Sequence, residues 1–378
     1  MTKTCSLIAS TLFALAACGD NSGLPEPPAG PPRAVVVAGD TMAGGLGVLS
    51  TLDPATGVVR MNAGPAMAVG RDPVLRHFGK ELFIINRAEN NVTILDDQTL
   101  ALKEQLGTGA SSNPQDIAVL GDKLYVPTLG TAGVTVLTRG STATATIDLS
   151  ADDPADGIPD CNSVYLVGTD LYVSCGILDS KNNFVAEALG LVHVIDTRTN
   201  AVKTTLMLSH KNPIGLFERV PGSGPNGGDL LIPTTEDFTA AHGCVERVTT
   251  GAVPAADGCL VDNALLVDNT MPGGFASRIE PEVDADGQII WTAVALTDFA
   301  HANLRAFDMS LSALWSGPLN PSSEMIVDVT HCPSGEVIVV DATMNANGLR
   351  IYNGAAEQTT AALPIGKNLF SAHGLVCY

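Results

Sequence analysis

Aromatic residues make up only 4% of this chain and charged residues 16%, and 40 acids stand against 20 lysines and arginines. Each shortage excludes something. With few aromatics, a core must be assembled mainly from Val, Ile, Leu and Ala. The formal charge of −20 removes the basic face that nucleic-acid binding requires. No CxxC occurs, so the common cysteine zinc motif is missing, and without CxxCH the usual covalent haem attachment is excluded. Beyond residue 17 no apolar run is long enough to cross a bilayer. What is plentiful is hydrophobic residues at 45%, with 38 glycines and 23 prolines, a composition for a globular core joined by many turns. The 378 residues could hold two or three domains, yet all-β folds of this size often form one. The acidity reads as a solubility feature, with a calcium-rich or cationic partner as the alternative.

The N-terminus reads as an address. Lys3 is followed by the apolar run Leu7–Ala17, too short to span a membrane and typical of a signal peptide. Leu15-Ala16-Ala17-Cys18 then resembles the bacterial lipobox, which implies a signal peptide at 1–17 and a diacylglyceryl group on the Cys18 thiol. An ordinary signal peptide that happens to end near a cysteine is the competing reading. Gly19 stands where an inner-membrane retention signal would have Asp, which favours the outer membrane of a Gram-negative bacterium. Residues 18–32, with their proline clusters, form an extended tether, and residues 33–378 the folded body, expected to be monomeric.

From Arg33 onward the chain repeats itself. The clearest copy, Asn113 to Ser150, divides into DIAVL, KLYVPT, GVTVLT and ATATIDL, four short strands separated by Gly, Asp or Asn turns. Four such strands make one antiparallel propeller blade. Further copies begin at Asp72, Cys161, Asn212, Phe275 and Met325, giving six complete units. Residues 34–62 offer only three strands, and the last residues, SAHGLVCY, look like an innermost strand with nothing after it. The expected fold is therefore an all-β, seven-bladed propeller of four-stranded antiparallel blades. It closes by pairing Ser371–Tyr378 with Ala34–Gly39, because an open array would leave unpaired edges.

The stretches KLYV (Lys123–Val126), VHVID (Val192–Asp196) and NVTILD (Asn91–Asp96) resemble the repeat units of the YVTN family of seven-bladed propellers. The likeness is strongest over residues 72–208, while the fifth and sixth units carry long insertions. It implies an architecture and no particular chemistry.

Apart from Cys5 and Cys18, six cysteines remain, an even count that suits disulfides in an exported protein. The strand plan pairs Cys161 with Cys175 across a hairpin and Cys244 with Cys259 around the outer hairpin of the fifth unit. Cys332 and Cys377 end neighbouring innermost strands, so their bond would lock the closure.

Candidate chemistry lies in two places. Asp152, Asp156 and Asp160, with Gly157, resemble a thrombospondin type 3 calcium loop, although Pro154 replaces an oxygen ligand and a loop of acidic turn residues is the simpler reading. Asp116, Glu280 and Asp328 align at similar heights on innermost strands, with His373 one position earlier. They could hold a metal or act as acid and base at the channel mouth, or be polar simply because water fills a channel. His331 reads as packed on its strand, and His77, His193, His210, His242 and His301 show no ligand spacing. Long polar loops, including Asn86–Asn91 and Ser111–Gln115, crowd the face where propellers bind ligands. The reading that needs least is a non-catalytic binding or scaffold lipoprotein presenting that face to an envelope protein or glycan, with no cofactor expected and Ca²⁺ in the acidic loop as the alternative. The alternative is a lactonase-like, metal-dependent hydrolase. Two tryptophans with no repeated docking pattern argue against a quinone-dependent dehydrogenase.

Overall fold

The computed structural model describes residues 33–39, 45–222, 227–235, 243–266, 274–283, 288–296, 302–308, 313–317, 326–343, 346–354, 356–367 and 373–378. Six four-stranded antiparallel sheets are each built from one continuous stretch, spanning 73–107, 118–148, 161–211, 218–261, 274–317 and 326–357. A further four-stranded sheet is composite, with the strands Val58–Arg60, Val48–Asp53 and Ala34–Ala38 followed by the C-terminal strand Leu375–Cys377 on the inside. Within the 161–211 sheet, the excursion between second and third strands forms a small ribbon, Leu178–Asp179 against Val185–Ala186. The architecture is an all-β propeller.

Burial follows strand position. The second strand of the 73–107 blade, Glu81–Asn86, is buried at every residue, whereas its outermost strand, Leu102–Gly107, buries only Leu106. Both faces of a blade pack against neighbours near the axis, so inner strands read as continuous apolar runs. The outermost strand meets them on one side only and alternates. Apolar clusters span blade boundaries. Phe83, Ile85 and Val92 pack with Val119, Leu124 and Val126, and Val192 and Val194 pack with Leu230 and Ile232. Ala34, Val36 and Leu52 of the composite blade meet Ile338, Val340 and Leu349.

The aspartate that ends several of the third strands, Asp96 and Asp196 among them, has a mechanical role. Asp96 accepts hydrogen bonds from the Gln98 and Thr99 amides at 3.2 and 2.9 Å and from the Thr99 hydroxyl at 2.9 Å. Asp196 accepts the Arg198 amide at 2.9 Å. These Asx turns fold the chain back into the outermost strand. The Thr99 amide holds the Asp96 carboxyl down at about 2.

Closure joins the two ends of the chain. Ala34, Val35 and Val36 pair with Cys377, Val376 and Leu375. The ladder extends through Arg33 N–H to Tyr378 O (2.8 Å), Tyr378 N–H to Arg33 O (3.1 Å) and Val37 N–H to Gly374 O (2.8 Å). A Cβ at Gly374 would stand 2.5 Å from the Val37 carbonyl oxygen, so only glycine permits this approach. The terminal strand is also tied sideways. Leu75 donates to the His373 carbonyl at 2.9 Å on one side, and the Cys332–Cys377 disulfide joins the 326–357 blade on the other. Tyr378 stacks on His77 at 3.9 Å and donates its hydroxyl to the Asp97 carbonyl at 2.9 Å.

Candidate functional site

Of the acids expected at the channel, Asp328 lies on the innermost strand Ile326–His331 and Asp116 two residues before the innermost strand Ala118–Leu120. Asp116 is fully buried. Its Oδ1 accepts the Ile117 amide at 2.8 Å, and its Oδ2 accepts the Val164 amide at 2.9 Å and the Ser163 hydroxyl at 3.0 Å. Asp328, equally buried, repeats the pattern, with Oδ1 accepting the Val329 amide and Oδ2 the Leu375 amide, both at 3.0 Å. Each carboxylate thus binds the amide of the residue that follows it and the innermost strand of the next blade. Both act as braces between blades, the use that a buried anion rich in amide donors best supports.

Asp116 has a further partner, Arg76, whose guanidinium meets it in a bidentate contact at 2.8 and 3.1 Å and reaches Glu218 at 3.5 Å. Burial opposes the Arg76 charge, but Asp116 and then Glu218 outweigh it and hold the group above its usual range. His373 is buried with a φ of 66° and uses its carbonyl to bind Leu75. Glu280 lies on the strand Gly274–Val283 opposite Trp291, and its side chain is outside the described residues. Among the described residues, the only three Asp, Glu, His or Cys side chains whose ligand atoms all come within 4.8 Å are His210, Cys244 and Cys259. Asp116, Asp328 and His373 are therefore not brought together.

In the acidic loop the carboxylates diverge. Asp152 faces His193 Nε2 at 3.2 Å. Asp156 accepts the Ile158 amide at 2.9 Å and the Ser180 hydroxyl at 3.3 Å, and Gly157 makes the turn at a φ of 77°. Asp160, only 4% exposed, accepts the Leu178 amide at 2.7 Å. Burial, with Asp156 and Asp153 adding like charge, pushes the Asp160 carboxyl up to about 7. Asp152, Asp156 and Asp160 do not converge to within 4.8 Å, whereas a calcium sphere gathers oxygens at roughly 2.3–2.6 Å from one ion.

All three expected disulfides form: Cys161–Cys175, Cys244–Cys259 and Cys332–Cys377. Cys18 and the rest of 1–32 lie outside the described residues.

An open cavity with several polar residues in its wall lies on the loop face between the 73–107 and 118–148 blades. It holds about 380 Å³ and is lined by Arg71, Asp72, Arg87, Ala88, Asn90, Ser111 and Asn113. Beneath it, Asn90 Oδ1 accepts the Asn113 amide (2.9 Å) and the Ser112 hydroxyl (3.2 Å), Thr108 and Ser112 share a 2.6 Å bond, and Gln115 donates to Asn113. Asn90, Ser111 and Asn113 all adopt left-handed backbone, at φ of 55°, 58° and 47°. For a serine that conformation is strained, a feature that concentrates at binding sites. At the rim Arg71 pairs with Glu89 at 3.1 Å and Arg87 with Asp72 at 3.6 Å. The loops Asn86–Asn91 and Ser111–Gln115 were legible in the sequence. Arg71 and Arg87 were not, and the available signal was two arginines sixteen residues apart in a cation-poor chain.

No protein-family model matches the chain, and no curated protein matches its sequence. Solved structures do match. The periplasmic gluconolactonase of Pseudomonas aeruginosa is 15% identical with a TM-score of 0.60, over 92% of this chain and 99% of that one. A protein from Lactobacillus plantarum is 12% identical with a TM-score of 0.59, over 92% and 99%. A quinoprotein alcohol dehydrogenase-like protein from Bacteroides thetaiotaomicron is 11% identical with a TM-score of 0.58, over 86% and 74%. At these identities the likeness establishes the fold: an all-β propeller of four-stranded antiparallel blades.

Proposed function

We propose that this chain is an exported, lipid-anchored propeller that binds a polar ligand or partner of the cell envelope through its loop face and catalyses nothing there. One observation carries the reading. The acids Asp116 and Asp328 spend their oxygens on backbone amides of their own and the neighbouring blade, Asp116 also on Arg76, while the loop face holds a cleft of about 380 Å³ with Asn and Arg side chains in its wall. Ligands enter such concave, largely preformed sites. We take the ring to be seven-bladed, six blades continuous and one composite, with Cys18 carrying the lipid that holds it at the outer membrane.

The experiment compares the body with Arg87→Ala and Asn90→Ala for binding to envelope glycans and envelope proteins, alongside a lactone hydrolysis assay with and without chelator. Binding lost in both variants, with no hydrolysis, supports the reading. Chelator-sensitive hydrolysis that survives both substitutions would replace it with the lactonase-like alternative. Labelling with radioactive palmitate, abolished by Cys18→Ser, tests the anchor.

A further inference from the structure

Where the 161–211 and 218–261 blades meet, His210 lies beside the Cys244–Cys259 disulfide, and the ligand atoms of the three side chains are within 4.8 Å of one another. We propose that these residues form a thiol-gated metal site that takes Zn²⁺ when the disulfide is reduced and releases it when the disulfide re-forms.

The dimensions suit the ion. Zinc–sulfur bonds of about 2.3 Å and zinc–nitrogen bonds of about 2.0 Å put tetrahedral ligand atoms roughly 3.5–3.8 Å apart. The sulfurs need only separate by somewhat less than about 2 Å from bonding distance. Cys259 can make that movement, because it is exposed on an outermost strand whose pairing with Cys244–Thr249 carries two register shifts. Cys244, fully buried, is the fixed ligand.

The imidazole is already anchored at its Nδ1 edge. Fully buried Glu246 accepts the Ser209 and His210 amides at 2.9 and 2.7 Å and lies 3.1 Å from His210 Nδ1. A carboxylate can only accept, so Nδ1 carries the proton and Nε2 is the basic nitrogen. Carboxylate, histidine and metal in line is the arrangement that fixes ring and tautomer in zinc sites. Two thiolates and an imidazole select zinc over calcium or magnesium, and water from the exposed side completes the fourth position.

The chemistry balances. A dithiol reductant gives two electrons and two protons to the S–S bond and becomes a cyclic disulfide, leaving two thiols. Zn²⁺ then displaces both thiol protons to solvent. A disulfide oxidant withdraws two electrons from the thiolates, re-forms the bond and frees the ion.

The test uses the mature chain, reduced by a phosphine under argon and titrated with Zn²⁺ against a chromophoric chelator. The baseline is the Cys244→Ser/Cys259→Ser variant, which keeps the other four body cysteines. Reduced wild type should bind one zinc per chain beyond that baseline, and oxidised wild type none beyond it. His210→Ala should weaken the site at least tenfold, Glu246→Gln by about 10–100-fold, and a disulfide oxidant should release the zinc. Co²⁺ titration of wild type, which needs no histidine variant to fold, should show thiolate charge-transfer absorption that the baseline lacks. Equal zinc in reduced wild type and baseline, or undiminished affinity in a folded His210→Ala, would overturn the proposal.

Discussion

Replacing Cys332 and Cys377 with serine removes the covalent tie between the C-terminal closing strand and the neighbouring 326–357 blade. The bond joins residues 45 apart. By loop-closure entropy a cross-link of that span stabilises by about 4 kcal/mol, about 1 kcal/mol more than the 14-residue link of Cys161–Cys175. For a body of this length, that loss lowers an unfolding midpoint by about 5 °C if unfolding is cooperative. A local effect should come first. Leu375–Cys377 is a three-residue strand, held by the ladder to Ala34–Val36 and by Asp328. Without the bond it should open by itself, so the Val376 and Tyr378 amides should exchange with deuterium faster while those of Glu81–Asn86 stay protected. Calorimetry and hydrogen exchange by mass spectrometry measure both effects. An unchanged midpoint with unchanged exchange at 375–378 would show that the bond does not secure the closure, and would refute the reasoning.

Four other outcomes follow. Asp160 titrates near 7 in the fold against an ordinary 3.8, so its contribution is fully present below pH 3.8 and is lost as pH rises through 7, a change on the order of 4 kcal/mol. Asp160→Asn, which keeps an acceptor for Leu178 and tolerates the φ of 51°, should flatten the pH 4–8 stability profile and exceed wild type at pH 8 in urea unfolding. Asp328→Ala leaves two buried amides without their acceptor and should cost roughly 2–5 kcal/mol, with Asp328→Asn in between, and equal stability of all three would contradict the brace. Burial lowers the His77 pKa despite Asp97, so its stabilising contribution is present above about 6.5 and lost as pH falls below that; His77→Asn should lose this acid-side slope in thermal melts. Gly374→Ala, forced against the Val37 carbonyl, should destabilise the closure by more than about 1 kcal/mol in denaturant titration.

The fold was legible because its signals are local. Third-strand aspartates such as Asp96 and Asp196, the apolar run Leu82–Ile85 and the turn glycines repeat in register, and an incomplete first unit pointed to the strand at 375–377. The disulfides followed from strand ends. The site was less legible. Asp116 and Asp328 can be aligned from the sequence, but their hydrogen bonds to Val164 and Leu375 cross blade boundaries, which no single repeat reveals. The grouping of His210 with Cys244 and Cys259 likewise depends on two blades meeting, with Glu246 reaching from one to the other. The cleft of Arg71, Arg87, Asn90 and Ser111 depends on left-handed backbone at Asn90 and Ser111, and serine gives little sign of that in advance.

The central claim is that the channel acids hold blades together and the loop face does the binding. Metal analysis of the purified, fully oxidised protein, beside Asp116→Asn, tests it most directly. The account predicts no stoichiometric metal in either protein, and a lowered melting temperature in the variant. One calcium or zinc per chain in the wild type, lost together with a hydrolytic activity in Asp116→Asn, would contradict it.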